Sequence, residues 1–242
     1  MSNDFKNLHI PGAPLVLYNI WDAGSAVTLA KTKPAAIATG SWAMAKAQGF
    51  DDGEEIPFSK VVDTVAQITK AVDLPVSVDF ETGYAEDMGT LRANIDTLLS
   101  HKIVGVNIED RARSGSGLRD VKDQCARIEV LRLASQDLFI NARCDLMFDG
   151  SKSDAHAERI DELIERAQAY ADNGADGLFI PGLTSPTLIE EVCKRSPLPV
   201  NIMRMDNTPI SDLAALGVAR ISHGPLPYIQ LMKTLSEQAG IL

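Results

Sequence analysis

The sequence predicts one α/β domain over residues 1–242, folded as a single (β/α)8 TIM barrel. Three observations predict it. Short apolar, β-branched runs alternate with amphipathic helical stretches from end to end, and there are eight of them. No Gly/Ser/Pro-rich linker or shift in composition divides the 242 residues, a length close to the ~250 typical of this barrel. No Gly-x-Gly-x-x-Gly follows the first run, which argues against a doubly wound dinucleotide-binding sheet.

The strands are predicted at Leu15 to Ile20, Ala35 to Thr39, Val76 to Phe80, Val104 to Ile108, Leu138 to Arg143, Gly177 to Ile180, Val200 to Met203 and Ala219 to Ser222. Helices fall between them at roughly 24–32, 58–72, 87–101, 120–135, 155–173, 185–195 and 210–216, with a last one at 226–238. Pro57 marks a helix start, where a missing N–H costs nothing. Ala-Asp-Asn-Gly-Ala-Asp-Gly at 171–177 reads as a helix stop that runs into a strand.

Composition limits the partners. With 45% hydrophobic residues the chain can bury a sizeable core, and 33 acids against 23 bases give a formal charge of −10. That charge argues against nucleic acid and anionic membrane surfaces, though a metal that reverses the local field would still admit a small anion. Cys125, Cys144 and Cys193 are odd in number and far apart, as expected of reduced thiols in a cytoplasmic protein. No apolar run approaches the ~20 residues of a membrane span, and Met-Ser-Asn-Asp-Phe lacks the basic-then-apolar order of a secretion signal.

Active sites in this barrel lie at the carboxyl ends of the strands, and the unusual polar residues gather there. Asp79 and Glu81 are two apart where the third strand runs out, so they project to one side; Glu109 ends the next strand beside them. Crowded carboxylates repel one another, so an oxygen-only cation site for Mg²⁺, or Mn²⁺, is the economical reading. Arg143, at the end of the fifth strand, offers a fork for a substrate carboxylate; an ion pair with Asp145 or Glu109 is its alternative. Backbone amides of Ser41 and Trp42, in the small-residue turn after the second strand, would add donors, and Asn201 on the seventh strand joins the substrate-binding candidates. Asp52 lies among Asp51, Glu54 and Glu55, where spacing alone reads as a solvated acidic surface. Glu109 and Asp110 have a similar bland alternative, a charge cluster with Arg111 and Arg113. Together the residues suit metal-assisted stabilisation of an enolate. In the loop after Glu109, Gly115 and Gly117 give hinge freedom for Arg111, Arg113 and Arg119 to swing toward an anionic substrate and exclude water, Arg113 being the catalytic candidate; a surface loop with solvated arginines is the alternative.

At these residues the chain resembles the isocitrate lyase and phosphoenolpyruvate mutase superfamily. The likeness covers nearly all of it: Trp21-Asp-Ala-Gly-Ser-Ala26, Gly40-Ser41, Gly49 to Asp52, Asp79-Phe-Glu-Thr-Gly-Tyr84, Asn107-Ile-Glu-Asp110 and Asn141-Ala-Arg143. The resemblance implies a (β/α)8 barrel that binds Mg²⁺ and a small α-oxo acid or its enolate, and that makes or breaks carbon–carbon or carbon–phosphorus bonds. Asp79 resembles the direct metal ligand, Glu81 and Glu109 the acids that hold the metal through water, and Asp52 the acid beside metal and substrate. Arg143 resembles the substrate-binding arginine, and Ser41 and Trp42 the backbone donors to the substrate carboxylate. A homo-oligomer, dimer or tetramer, is implied as well.

Departures narrow the reaction. The isocitrate and methylisocitrate lyases carry Lys-Lys/Arg-Cys-Gly-His after the fourth strand, where this chain has Arg111-Ala-Arg-Ser-Gly-Ser-Gly-Leu118. The Lys-Thr-Asn-Ser loop of the phosphonate enzymes is absent too, and Pro181 stands where those enzymes tend to carry histidine. The expectation is a Mg²⁺-dependent lyase or decarboxylase acting on a carbon–carbon bond of a small 2-oxo or 2-hydroxy mono- or dicarboxylic acid. The rivals are a carbon–phosphorus enzyme of the mutase or phosphonopyruvate hydrolase type and a non-catalytic, metabolite-binding barrel.

Overall fold

Nine parallel strands form one sheet in the computed structural model, which describes residues 2–112, 117–148, 150 and 153–240. They are β1 (Leu15–Leu17), β2 (Asn19–Ile20), β3 (Ile37–Thr39), β4 (Val76–Asp79), β5 (Gly105–Glu109), β6 (Phe139–Arg143), β7 (Gly177–Ile180), β8 (Val200–Met203) and β9 (Arg220–Ser222). The order β1-β9-β8-β7-β6-β5-β4-β3-β2 begins and ends on strands adjacent in sequence, so the chain itself completes the ring. Residues 15–17 bond to β9 and residues 19–20 to β3, with Tyr18 between them. The predicted first strand is therefore present in two parts divided at Tyr18, one paired with β9 and the other with β3, and together they close the ring.

Each predicted helix is present, most of them shorter than the apolar pattern by one to three residues. Three begin on an aspartate that caps free backbone N–H groups. Asp22 accepts from the Ser25 amide at 2.6 Å while the Ser25 hydroxyl accepts from the Asp22 amide at 3.1 Å; Asp87 and Asp120 cap the helices Met88–Leu99 and Val121–Ala134. The helix predicted at 155–173 begins as a short turn, Ser153–His156, and a 3-10 segment, Ala157–Arg159, before the regular Ile160–Asp172. Two helices, Ser2–Lys6 and Ser41–Ala47, are not foreshadowed by the apolar pattern. Ser-Trp-Ala-Met-Ala-Lys-Ala is small and apolar on most sides, and Ala43, Met44 and Ala45 are all buried, so it lacks the two-faced contrast that signals a surface helix.

The strands point Ile37, Val78, Val106, Ile140, Leu178, Ile202 and Ile221 outward against the helices, all fully or almost fully buried. Each such side chain is worth roughly 1.5–3 kcal/mol of apolar burial. Inside, Phe5, Leu17, Ala38 and Phe139 plug the amino-terminal end, where His9 stacks on Phe139 with ring centroids 3.9 Å apart. Above the plug the barrel interior becomes polar, which prepares the mouth at the carboxyl ends.

Candidate active site

Strand register brings the predicted residues to that mouth. Asp79 faces Asn107 across β4–β5, and Glu109 faces Arg143 across β5–β6. Asp79 accepts from the Ser41 hydroxyl at 2.8 Å and the Ser41 amide at 3.2 Å, while Asn107 donates to its other oxygen over a long 3.4 Å. The Ser41 amide expected to be available to a substrate is thus spent on Asp79. Trp42 lines the cavity, and Tyr228 meets its ring edge-on at 6.0 Å.

The Asp52 loop and the turn after β4 are clasped together. Glu54 accepts from the Thr82 amide (3.0 Å), the Thr82 hydroxyl (2.7 Å) and the Tyr84 amide (2.7 Å), while its own amide donates to Glu81 at 3.0 Å. The Tyr84 hydroxyl donates to the other Glu81 oxygen at 2.7 Å. Gly83, at φ +92°, is required by the turn, since a Cβ there would lie 2.3 Å from Leu91 Cδ1. From below, the buried Arg127 donates to the carbonyls of Thr82, Ala85 and Glu86. Glu81 is consequently fixed and buried. Burial pushes its carboxyl up to about 8, with Asp79, Glu109 and Asp52 adding repulsion that the Tyr84 hydrogen bond only partly offsets.

Both ion-pair alternatives for Arg143 are realised. Its Nε and Nη2 donate to Asp145 at 2.6 and 2.9 Å, and its Nη1 lies 2.8 Å from Glu109. Three of the guanidinium's five N–H groups are thereby used, leaving two for a ligand. Burial would weaken its proton, but the charges of Glu109 and Asp145 outweigh that and hold Arg143 protonated. Glu109 is pushed up to about 8 by burial, despite Arg143. Phe148 and Phe179 flank the guanidinium at 5.4 and 5.8 Å.

Asp52, Asp79, Asn107 and Arg143 line one cavity of about 190 Å³ together with Ser41 and Trp42. Glu81 and Glu109 stand behind its wall. Asn201 sits one layer lower: it accepts from Asn141 at 3.0 Å and donates to Ser222 at 2.8 Å, and it does not line the cavity. Arg113 falls outside the described residues. At the rim, the surrounding protein and then Asp79 raise the Asp52 carboxyl.

This donor set suits a hard cation. Among the described residues no three His, Cys, Asp or Glu side chains are grouped closely enough to ligate one ion together. Asp79 presents one carboxylate to the cavity, and Mg²⁺ commonly takes only one or two protein carboxylates and completes its shell with water and substrate oxygens. Three residues that the sequence reading passed over hold this arrangement. Glu54 looked like one of several loop acids. Asp145 entered only as an alternative partner. Arg220 lies fully buried, and among the described residues its one donated side-chain bond goes to Asn107 at 3.2 Å. Burial lowers its pKa to about 9, Asp79 resisting. An arginine at an inward position of β9 was the available signal.

The model of the family described as phosphoenolpyruvate phosphomutase matches residues 5–242. The chain belongs to this family. Within the wider phosphoenolpyruvate mutase and isocitrate lyase superfamily, a crystal structure from Burkholderia cenocepacia J2315, provisionally called a phosphonomutase, is 46% identical; the match covers 99% of this chain and 98% of that one, at a TM-score of 0.95. An uncharacterized protein of Mycobacterium tuberculosis, Rv1998c, is 33% identical over 224 residues, which is 93% of this chain and 83% of that one. Named enzymes are more distant. The phosphoenolpyruvate phosphomutase of Streptomyces hygroscopicus is 30% identical, covering 88% of this chain and 70% of its own. The 2-methylisocitrate lyase of Bacillus subtilis is 27% identical over 84% and 65%. Family members are therefore lyases and mutases, and the phosphoenolpyruvate phosphomutase family as a whole does not fix one reaction.

Proposed function

We propose that this protein is a Mg²⁺-dependent lyase that breaks a carbon–carbon bond of a small 2-oxo or 2-hydroxy acid through an enolate. The observation that carries the proposal is the placement of two carboxylates without ion pairs among the described residues, Asp79 and Asp52, beside Arg143 in one cavity. Asp79 would hold the metal directly, with Glu81 and Glu109 reaching it through water. A divalent cation there would supply positive charge to two adjacent substrate oxygens and to an enolate as it develops. Arg143 directs its remaining donors at the substrate carboxylate, and its bonds to Asp145 and Glu109 keep the fork from turning away. Asp52, at the rim, takes a proton from the bond-breaking end of the substrate or returns one. Asn107, anchored by Asn141 at 2.9 Å, steadies Asp79, and Asn201 acts one step further back through Asn141.

The B. cenocepacia relative's name favours a carbon–phosphorus reaction as second reading. Against it, Arg143 is the only basic side chain among the described residues lining the cavity, and a phosphonate brings more charge than one arginine matches. Incubation with Mg²⁺ and a panel of oxaloacetate, substituted malates, methylisocitrate and phosphonopyruvate, followed by NMR, separates the two. Pyruvate or another oxo acid released from a phosphorus-free substrate supports the lyase; phosphate released from phosphonopyruvate alone overturns it, and turnover that survives EDTA removes the metal from the mechanism.

A further inference from the structure

The cavity is largely apolar. Trp42, Phe148, Phe179, Met203, Met205 and Pro225 line it, with Phe148 and Phe179 against the Arg143 guanidinium itself. Phe148 and Met205 remain 41% and 43% exposed, so two large apolar side chains stand in water at this one rim. Such groups are costly to leave wet and commonly mark a ligand surface. Thr184, Met203 and Met205 also line a neighbouring cavity of about 260 Å³, together with Leu183, Ile189 and Leu213 and with the charged Arg204, Asp206 and Asp212. The two methionines are common to both cavities, and methionine is the side chain that yields most readily to an irregular apolar guest.

Charge points the same way. Among the described lining residues the charged groups are Asp52, Asp79 and Arg143, and Arg143 has donors left for one carboxylate. A second anionic group on the substrate would face aromatic rings, methionines and the Asp52 carboxylate. Burying it there without a partner is unfavourable, whereas a hydrocarbon chain gains by every methylene covered.

We propose that the substrate is a 4-hydroxy-2-oxo acid carrying a hydrocarbon group on C4, and that the released fragment is an uncharged apolar aldehyde or ketone. This rests on the lyase reading of the site. The C3–C4 bond breaks and its electron pair passes into the enolate of the 2-oxo acid. The C4 hydroxyl proton goes to Asp52 as its oxygen becomes a carbonyl, and C3 then accepts a proton to give the free 2-oxo acid. For 4-hydroxy-2-oxohexanoate the products are pyruvate and propanal, with no oxidant or reductant consumed.

Calorimetric titration of the whole protein in Mg²⁺ with oxalate, pyruvate, 2-oxopentanoate, 2-oxohexanoate and oxaloacetate tests the binding half, and NMR of 4-hydroxy-2-oxohexanoate tests turnover. The expected result is magnesium-dependent oxalate binding, with affinity rising along the 2-oxo acid series by about fourfold per methylene, the ~0.8 kcal/mol that burying one is worth. Oxaloacetate should bind no more tightly than pyruvate. Met205→Glu, at a half-exposed position, should reduce the 2-oxohexanoate-to-oxalate affinity ratio by more than tenfold, with urea unfolding confirming that the variant folds. Oxalate binding with oxaloacetate preferred over 2-oxohexanoate, or an unchanged ratio in Met205→Glu, overturns the apolar branch and leaves the lyase reading standing. Loss of magnesium-dependent oxalate binding altogether overturns both.

Discussion

Glu54→Ala isolates the clasp between the Asp52 loop and the turn that carries Glu81. In the folded protein one carboxylate oxygen of Glu54 accepts three hydrogen bonds, at 3.0, 2.7 and 2.7 Å, from Thr82 and Tyr84. Glu54, Glu81 and Tyr84 all have left-handed backbones, with φ of 65°, 48° and 53°, although none is glycine. Each such residue costs roughly 1 kcal/mol, so the segment holds about 3 kcal/mol of strain that these bonds must offset. Truncation to alanine keeps the strain, removes three charge-assisted bonds worth about 1.5 kcal/mol each, and leaves the amides of buried Thr82 and Tyr84 without acceptors. The expected loss is at least about 4.5 kcal/mol. Glu54→Gln keeps an acceptor of the same shape without the charge and should lose about 1–2 kcal/mol. Urea unfolding gives the stabilities, and magnesium-dependent oxalate binding reports whether Asp52 and Glu81 keep their places. A Glu54→Ala variant within 1 kcal/mol of the parent, or a Gln variant as damaged as the alanine one, would refute the clasp.

Asp79→Asn should abolish magnesium-dependent ligand binding and turnover while raising, or at least preserving, the melting temperature in EDTA, because Glu81, Glu109 and Asp52 lose a repelling neighbour; a variant still stabilised by Mg²⁺ plus oxalate would remove Asp79 as the metal ligand. His9 gives the pH dependence. Burial holds its folded pKa at about 3 against 6.5 when unfolded, so it is neutral in both states above pH 6.5. As pH falls below 6.5 only the unfolded chain takes up the proton, and stability drops by as much as about 4 kcal/mol near pH 3. His9→Phe, which preserves the stack on Phe139, should flatten that loss between pH 6.5 and 4; an unaltered slope in urea titrations would show the acid lability lies elsewhere. The helix Leu226–Gln238 buries none of its residues and exposes Ile229, Leu231 and Leu235, as an oligomer interface would. Leu231→Glu with Leu235→Glu should convert a dimer or tetramer to monomer by light scattering, and an unchanged mass would place the interface elsewhere.

The strands were legible because their outward faces meet helices and must be apolar: Val78, Val106, Ile140 and Ile202 announce themselves by pattern. The acids Asp79, Glu81 and Glu109 were legible for the opposite reason, since ionised groups at the end of an apolar run need a purpose. What pattern did not carry was the barrel's inner layer. Asn107, Asn141, Asn201 and Arg220 sit at alternating, inward positions and are all buried, yet alternation alone reads as one wet face and one dry. Only closure of the sheet turns that face into an interior. Glu54 was hidden differently: its partners lie 28 and 30 residues away, so nothing local distinguishes it from Glu55.

A purely structural acid cluster at the barrel mouth would pair its members, and most of this one does. Glu109 and Asp145 share Arg143, Asp145 also meets Arg111 at 3.2 Å, and Asp110 holds Tyr170 at 2.7 Å with Arg166 beyond it. Glu81 is satisfied by Tyr84 and the Glu54 amide. Two acids break the pattern, because neither Asp79 nor Asp52 has an ion pair among the described residues, and these two are the ones that line the cavity. The buried Arg220 connects to Asp79 through Asn107 and contributes field there without an ion pair. Selection for stability alone would remove such a charge or pair it, since an asparagine at position 79 would keep an acceptor for Ser41 without the repulsion. Retaining it makes sense if the missing positive charge arrives from solution, so the unbalanced carboxylate itself argues for a bound cation.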